Sequence, residues 1–179
     1  MKFDIARQPL VPAFMTLFAL AVAAMCAGIP VPDTETSGAV REALPLLGGQ
    51  LARFQAAYPV WSKFAAGFML LFAGMCTGRI SIRYNLYTVG TCLPIPLYAI
   101  VACGIATGGN YLAGFAASML LALATKNYCR AFCNGYGFDA IFRASLYLGL
   151  MPLIYAPALP LLLLLPLAVL LFRRTFREV

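Results

Sequence analysis

The stretch ASLYLGLMPLIYAPALPLLLLLPLAVLLF, residues 144–172, runs for 29 residues without a charge. As a single helix it would extend about 44 Å, well beyond the roughly 30 Å hydrocarbon core of a bilayer. Pro157 and Pro160 fall near its middle, where a proline removes an intrahelical donor and clashes with the preceding turn. The stretch therefore reads as a hairpin of two short spans, residues 140–156 and 159–172. That choice sets the span count at six; one tilted helix in place of the hairpin gives the five-span alternative.

The rest of the chain agrees with a membrane setting. Of 179 residues, 63 % are hydrophobic and 11 % charged, against about 45–50 % and about 25 % in ordinary soluble domains. A globule of this size could not hide that much apolar surface. A soluble enzyme, a disordered tail and a fibrous protein are excluded. What remains is an all-α fold: a polytopic transmembrane helix bundle forming one integral-membrane domain over residues 1–179.

Four more apolar runs precede the hairpin: residues 11–29, 64–78, 86–107 and 111–125. Pro94 and Pro96 predict a kink near the middle of the third span, and Gly108-Gly109-Asn110 predicts a tight turn after it. The first run has a second reading as a cleaved signal peptide, because Ala21-Val22-Ala23 fits a small-x-small cleavage site. The runs downstream favour an uncleaved anchor.

Residues 30–62 form the one long polar stretch. Within it Val40, Leu44, Leu47, Leu51, Phe54 and Tyr58 recur at steps of 4, 3, 4, 3 and 4, one face of a helix. Arg41, Glu42, Gln50, Arg53 and Gln55 occupy the other faces. Pro45 and Gly48-Gly49 argue for two short helices or one kinked helix. The expectation is an extracytoplasmic amphipathic segment on the membrane surface, with Tyr58 and Trp61 in the interfacial aromatic belt.

Charge sets the orientation. In the six-span arrangement one side holds ten basic residues: Lys2, Arg7, Arg79, Arg83, Lys126, Arg130, Arg143, Arg173, Arg174 and Arg177. The other holds Arg41, Arg53 and Lys63. The ten are expected in the cytoplasm, with both termini, for a protein of the bacterial inner membrane. The formal charge of +7 follows from this bias and gives no reason to expect nucleic-acid binding.

The chemistry is mostly negative. The chain has no histidine, so H-E-x-x-H metal chemistry, Ser-His hydrolysis and histidine-ligated haem are excluded. No Asp or Glu falls in a span, and no Walker A or Rossmann glycine pattern occurs. Cys26, Cys76, Cys92 and Cys103 sit in apolar runs; Cys129 and Cys133 share a polar loop at a C-x-x-x-C spacing that is neither a redox nor a zinc motif. No catalytic residue, metal or cofactor site is expected.

Three positive candidates remain. Asp139 and Arg143 stand at i, i+4 where the fifth span enters the membrane. They read either as an anchoring ion pair or as part of a lipid-headgroup, anion or partner contact with Arg79, Arg83, Lys126 and Arg130. Gly67, Gly74 and Gly78, and Gly114, Ser118 and Ala122, are small residues at spacings that let helix backbones approach closely, within the monomer or across a dimer. Thr88, Thr91, Pro94, Pro96 and Tyr98 put polar groups into the third span, as a kink satisfied by neighbours or as the lining of a substrate site.

Phe138-Asp139-Ala140-Ile141-Phe142-Arg143-Ala144-Ser145-Leu146-Tyr147-Leu148-Gly149-Leu150, then Leu153-Ile154-Tyr155-Ala156-Pro157 and a leucine run into Phe172-Arg173-Arg174-Thr175-Phe176-Arg177-Glu178, carry a resemblance. So does Arg83-Tyr84-Asn85 before a proline-containing span. Residues 80–178 resemble a family of uncharacterised multi-pass inner-membrane proteins of Bacteroidota, whose members continue past the Arg-Glu pair. The resemblance implies a short member or an amino-terminal half, and it brings no activity. The expected role is a non-enzymatic small subunit or assembly factor of a cell-envelope complex; the alternative is a small transporter or transporter half. The expected partners are membrane lipids and a membrane protein or a second copy.

Overall fold

The computed structural model describes residues 10–26, 46–84, 92–105, 111–133 and 137–172. Among them every residue is helical except Tyr58, Tyr84, Cys92, Leu93, Gly137 and Tyr155. The helices are α1 (Leu10–Cys26), α2 (Leu46–Ala57), α3 (Pro59–Arg83), α4 (Pro94–Ile105), α5 (Tyr111–Cys133), α6 (Phe138–Ile154) and α7 (Leu164–Phe172), with a 3₁₀ helix, Ala156–Leu163, before the last. The protein is an all-α bundle. Among the described residues one helix, α3, is long and apolar enough to cross a membrane by length and composition. Lys2, Arg7, the part of the amphipathic segment with Val40, Arg41, Glu42 and Leu44, the residues Thr88 and Thr91, the expected turn at Gly108-Gly109-Asn110 and the basic run after Phe172 lie outside the described residues.

Helix boundaries depart from the apolar runs for identifiable reasons. Tyr58 has φ −132° and ψ 72°, and Pro59 opens α3 at its first position, where a missing N–H costs nothing. The expected basic turn at 79–83 is instead the last turn of α3, closed by the Tyr84 N–H donating to the Ile80 carbonyl. Likewise α5 continues through residues 126–133, expected as a loop. Arg and Lys are good helix formers, and cations in a last turn complement the C-terminal dipole. Charge ended the apolar runs without ending the helices. The expected mid-span kink at Pro94 and Pro96 is instead a helix start: both prolines lie in the first turn of α4, where the orphan N–H groups they lack had no partner to lose. At the far end, α6 stops at Ile154 and Tyr155 is extended (φ −138°, ψ 101°), so the chain breaks just before Pro157.

Packing gives each helix a direction. Gly74 and Gly78 of α3 meet Tyr98 and Ile95 of α4, so these two run antiparallel. Ser62 and Tyr111, near the starts of α3 and α5, are hydrogen-bonded, and Cys76 lies in electrostatic reach of Lys126, so α3 and α5 run parallel. Ala131 clusters with Ala140 and Ile141, and Ala117 with Leu148 and Met151, which makes α5 and α6 an antiparallel pair. Helix α1 inserts Ala13, Leu17 and Ala21 against α3 and α4. After Tyr155 the chain stays on the bundle through Ala158, Leu161 and Leu165.

The interior and the surface are chemically exchanged relative to a water-soluble bundle. Fifteen of the 26 buried apolar residues among those described are alanine. Many large side chains are outside: Val11 (67 %), Trp61 (69 %), Phe68 (67 %) and Leu163 (72 %) are mostly exposed. Small residues inside let helix backbones approach closely.

Candidate functional site

The inward face of α3 carries Ser62, Ala66, Gly67, Leu70, Ala73, Gly74, Gly78 and Ser81. A Cβ on Gly74 would lie 2.8 and 2.9 Å from the Leu17 Cδ atoms, and one on Gly78 would collide with Ile95. At these two positions α1 and α4 occupy the space a side chain would need. Gly114 on α5 differs: a Cβ there meets nothing within 4 Å, so no helix approaches closely. Ser118 instead donates to the Phe115 carbonyl (2.8 Å) and pairs with the Tyr98 hydroxyl (3.1 Å), linking α4 to α5. Ala122 is buried at 5 % exposure.

A polar cluster holds the end of the bundle where α3 and α5 begin. Ser62, fully buried, donates to the Pro59 carbonyl and bonds the Tyr111 hydroxyl at 2.5 Å. The Gln55 side-chain oxygen accepts the Leu112 N–H at 3.4 Å, one of the orphan donors of the α5 N-terminus. Gln55, expected on the solvent face of the amphipathic segment, is thus turned into the bundle with Gly48. The apolar stripe residues Leu47, Phe54 and Tyr58 point outward, while Leu51 touches the core. Phe54, Tyr58, Trp61, Phe64, Ala65 and Phe68 line an open groove of about 540 Å³ between α2 and α3.

The cations gather at the other end. Arg79 and Arg83 lie on the last two turns of α3, Lys126 and Arg130 on those of α5, and all four are exposed. Arg79 and Lys126 both act electrostatically on Cys76, which places them on either side of the α3–α5 contact. Arg143 is engaged elsewhere: its Nε donates to Asp139 Oδ1 at 2.9 Å, the ion pair the i, i+4 spacing suggested. Arg79 and Lys126 thus lie within electrostatic reach of one thiol, whereas Arg143, at the same end of the bundle, is paired with Asp139. Cys76, Cys92 and Cys129 form no disulfide among the described residues.

No family model matches the chain, and no match is found among curated proteins or solved structures. The functional reading rests on this geometry alone.

Proposed function

We propose that the protein is an integral inner-membrane bundle of six spans that serves as a non-enzymatic subunit or assembly factor of a cell-envelope complex. The spans are α1, α3, α4 with the residues just before it, α5, α6 and the return through residues 159–172. Both termini and the Arg79–Arg130 end face the cytoplasm, and α2 lies at the outer surface. The observation that carries this reading is the exchange of interior and surface: an alanine- and glycine-rich inside and a belt of exposed phenylalanine, leucine and tryptophan. Water would expel such a belt, whereas lipid chains or a partner's helices would cover it. Two inward polar pairs tie helices together, Ser62 with Tyr111 and Tyr98 with Ser118, which suits a packing role.

Purification of the full chain from membranes in mild detergent tests it. A stoichiometric membrane-protein partner is the expected result. An isolated homo-oligomer would instead favour the transporter alternative, and release of the chain by alkaline carbonate would overturn the membrane reading altogether.

A further inference from the structure

Four cations rim one stretch of the α3–α5 contact. Arg79 and Arg83 are one helical turn apart on α3, and Lys126 and Arg130 one turn apart on α5. The two helices run parallel, so both pairs sit at the same height. Side chains four apart on a helix share a face, so each pair sets two like charges side by side. Asp139 is the one carboxylate among the described residues, and it is taken by Arg143. Among those residues, then, no acid is left for the rim. The dipoles of two helix C-termini draw cations there, but they supply no ligand that bridges the helices. Directly below the rim on the outward face of α3 come Met75, Phe72 and Phe68, all exposed. The surface is cationic above and apolar below, in the order in which a phospholipid presents a phosphate and then its chains.

We propose that Arg79 and Lys126 hold the phosphate of an anionic phospholipid of the cytoplasmic leaflet across the α3–α5 contact, with its acyl chains along Phe68, Phe72 and Met75. Arg79 presents a planar fork to the phosphate oxygens, and Lys126 a point charge from the opposite helix. Arg83 and Arg130, one turn further out, attract the headgroup without being needed to grip it. The site rests on the membrane reading above, and alkaline carbonate extraction of the wild type tests that reading separately.

The full chain would be expressed in membranes holding both phosphatidylglycerol and phosphatidylethanolamine, purified in mild detergent, and its retained lipid measured by mass spectrometry. The expected result is phosphatidylglycerol enriched at least about fivefold over the bulk ratio. The enrichment is lost in R79Q/K126Q and kept in R53Q, whose charge lies at the other end. A second measurement covers a double variant that does not fold: delipidated wild type should gain thermal stability from phosphatidylglycerol vesicles and not from phosphatidylcholine vesicles or inorganic phosphate. Equal retention in R79Q/K126Q would overturn the site. So would equal stabilisation by phosphatidylcholine, or by inorganic phosphate, which would make the ligand a free anion.

Discussion

Gly78 and Gly74 differ in how much their neighbours can yield. A methyl at Gly74 meets the two terminal carbons of Leu17, which can rotate away. One at Gly78 meets Cγ1 as well as Cδ1 of Ile95, a β-branched chain at 1 % exposure with little freedom at χ1. Gly78→Ala should therefore cost about 1–3 kcal/mol by overpacking, and Gly74→Ala less. Gly114→Ala, with open space around it, should be neutral or stabilising by up to about 1 kcal/mol through helix propensity. Thermal unfolding of the three variants in one detergent checks the order. Ser62→Ala strands the buried Tyr111 hydroxyl, so a loss of about 1–3 kcal/mol is expected, and Ser62→Ala with Tyr111→Phe should recover part of it. Arg143→Lys should be tolerated, because the pair with Asp139 uses the Nε atom alone, both side chains are more than half exposed, and such pairs contribute about 0.3–0.5 kcal/mol.

At the scale of elements, the helices were legible in the sequence and their ends were not. The small residues of α3 at positions 67, 74 and 78 announced a close-packed face, because only small side chains at that spacing suit one. The last turns of α3 and α5 are hidden in the sequence because an apolar run ends where charge begins, and Arg79 or Lys126 interrupts hydropathy without interrupting hydrogen bonding. Pro94 suggests a kink because a proline pair has the same spelling at a helix start and in a helix middle; what distinguishes them is whether the preceding residues are helical. Gln55 was misplaced for a different reason. Periodicity sorts a polar side chain to the outside, and nothing local shows that the N-terminus of α5 waits for an acceptor. A cysteine placed at Gln55 should accordingly resist polar thiol reagents in folded protein, and one at Gln50 or Arg53 should react; equal reaction at all three would mean that α2 is not seated.

For the whole molecule, orientation is the property on which the proposed role depends, and the structure selects where to probe it. Ser81 lies in the middle of the basic stretch but is 5 % exposed, with a hydroxyl that finds no partner among the described residues. A cysteine there would stay silent from either side of a membrane. Arg83 is exposed one turn away from Arg79. On a background free of native cysteines, Arg83→Cys should be protected from an impermeant maleimide in intact cells and should react after permeabilisation, whereas Arg53→Cys should react in intact cells. The reverse pattern would invert the bundle.

The seat of α2 also has a consequence in time. Its acceptor, Gln55, and the donor it meets at Leu112 are 57 residues apart in the chain, and Ser62 and Tyr111 are 49 apart. At about 5–20 residues per second, synthesis leaves Gln55 without that donor for about 3–11 s after it leaves the ribosome. During that interval α2 lacks this anchor, and the face of α3 that α5 will cover stays open to whatever lies beside it. The nascent chain thus passes through a window in which a chaperone, an insertion factor or a second unfinished copy can occupy the place of α5. The window stays open at least until residues 111 and 112 arrive.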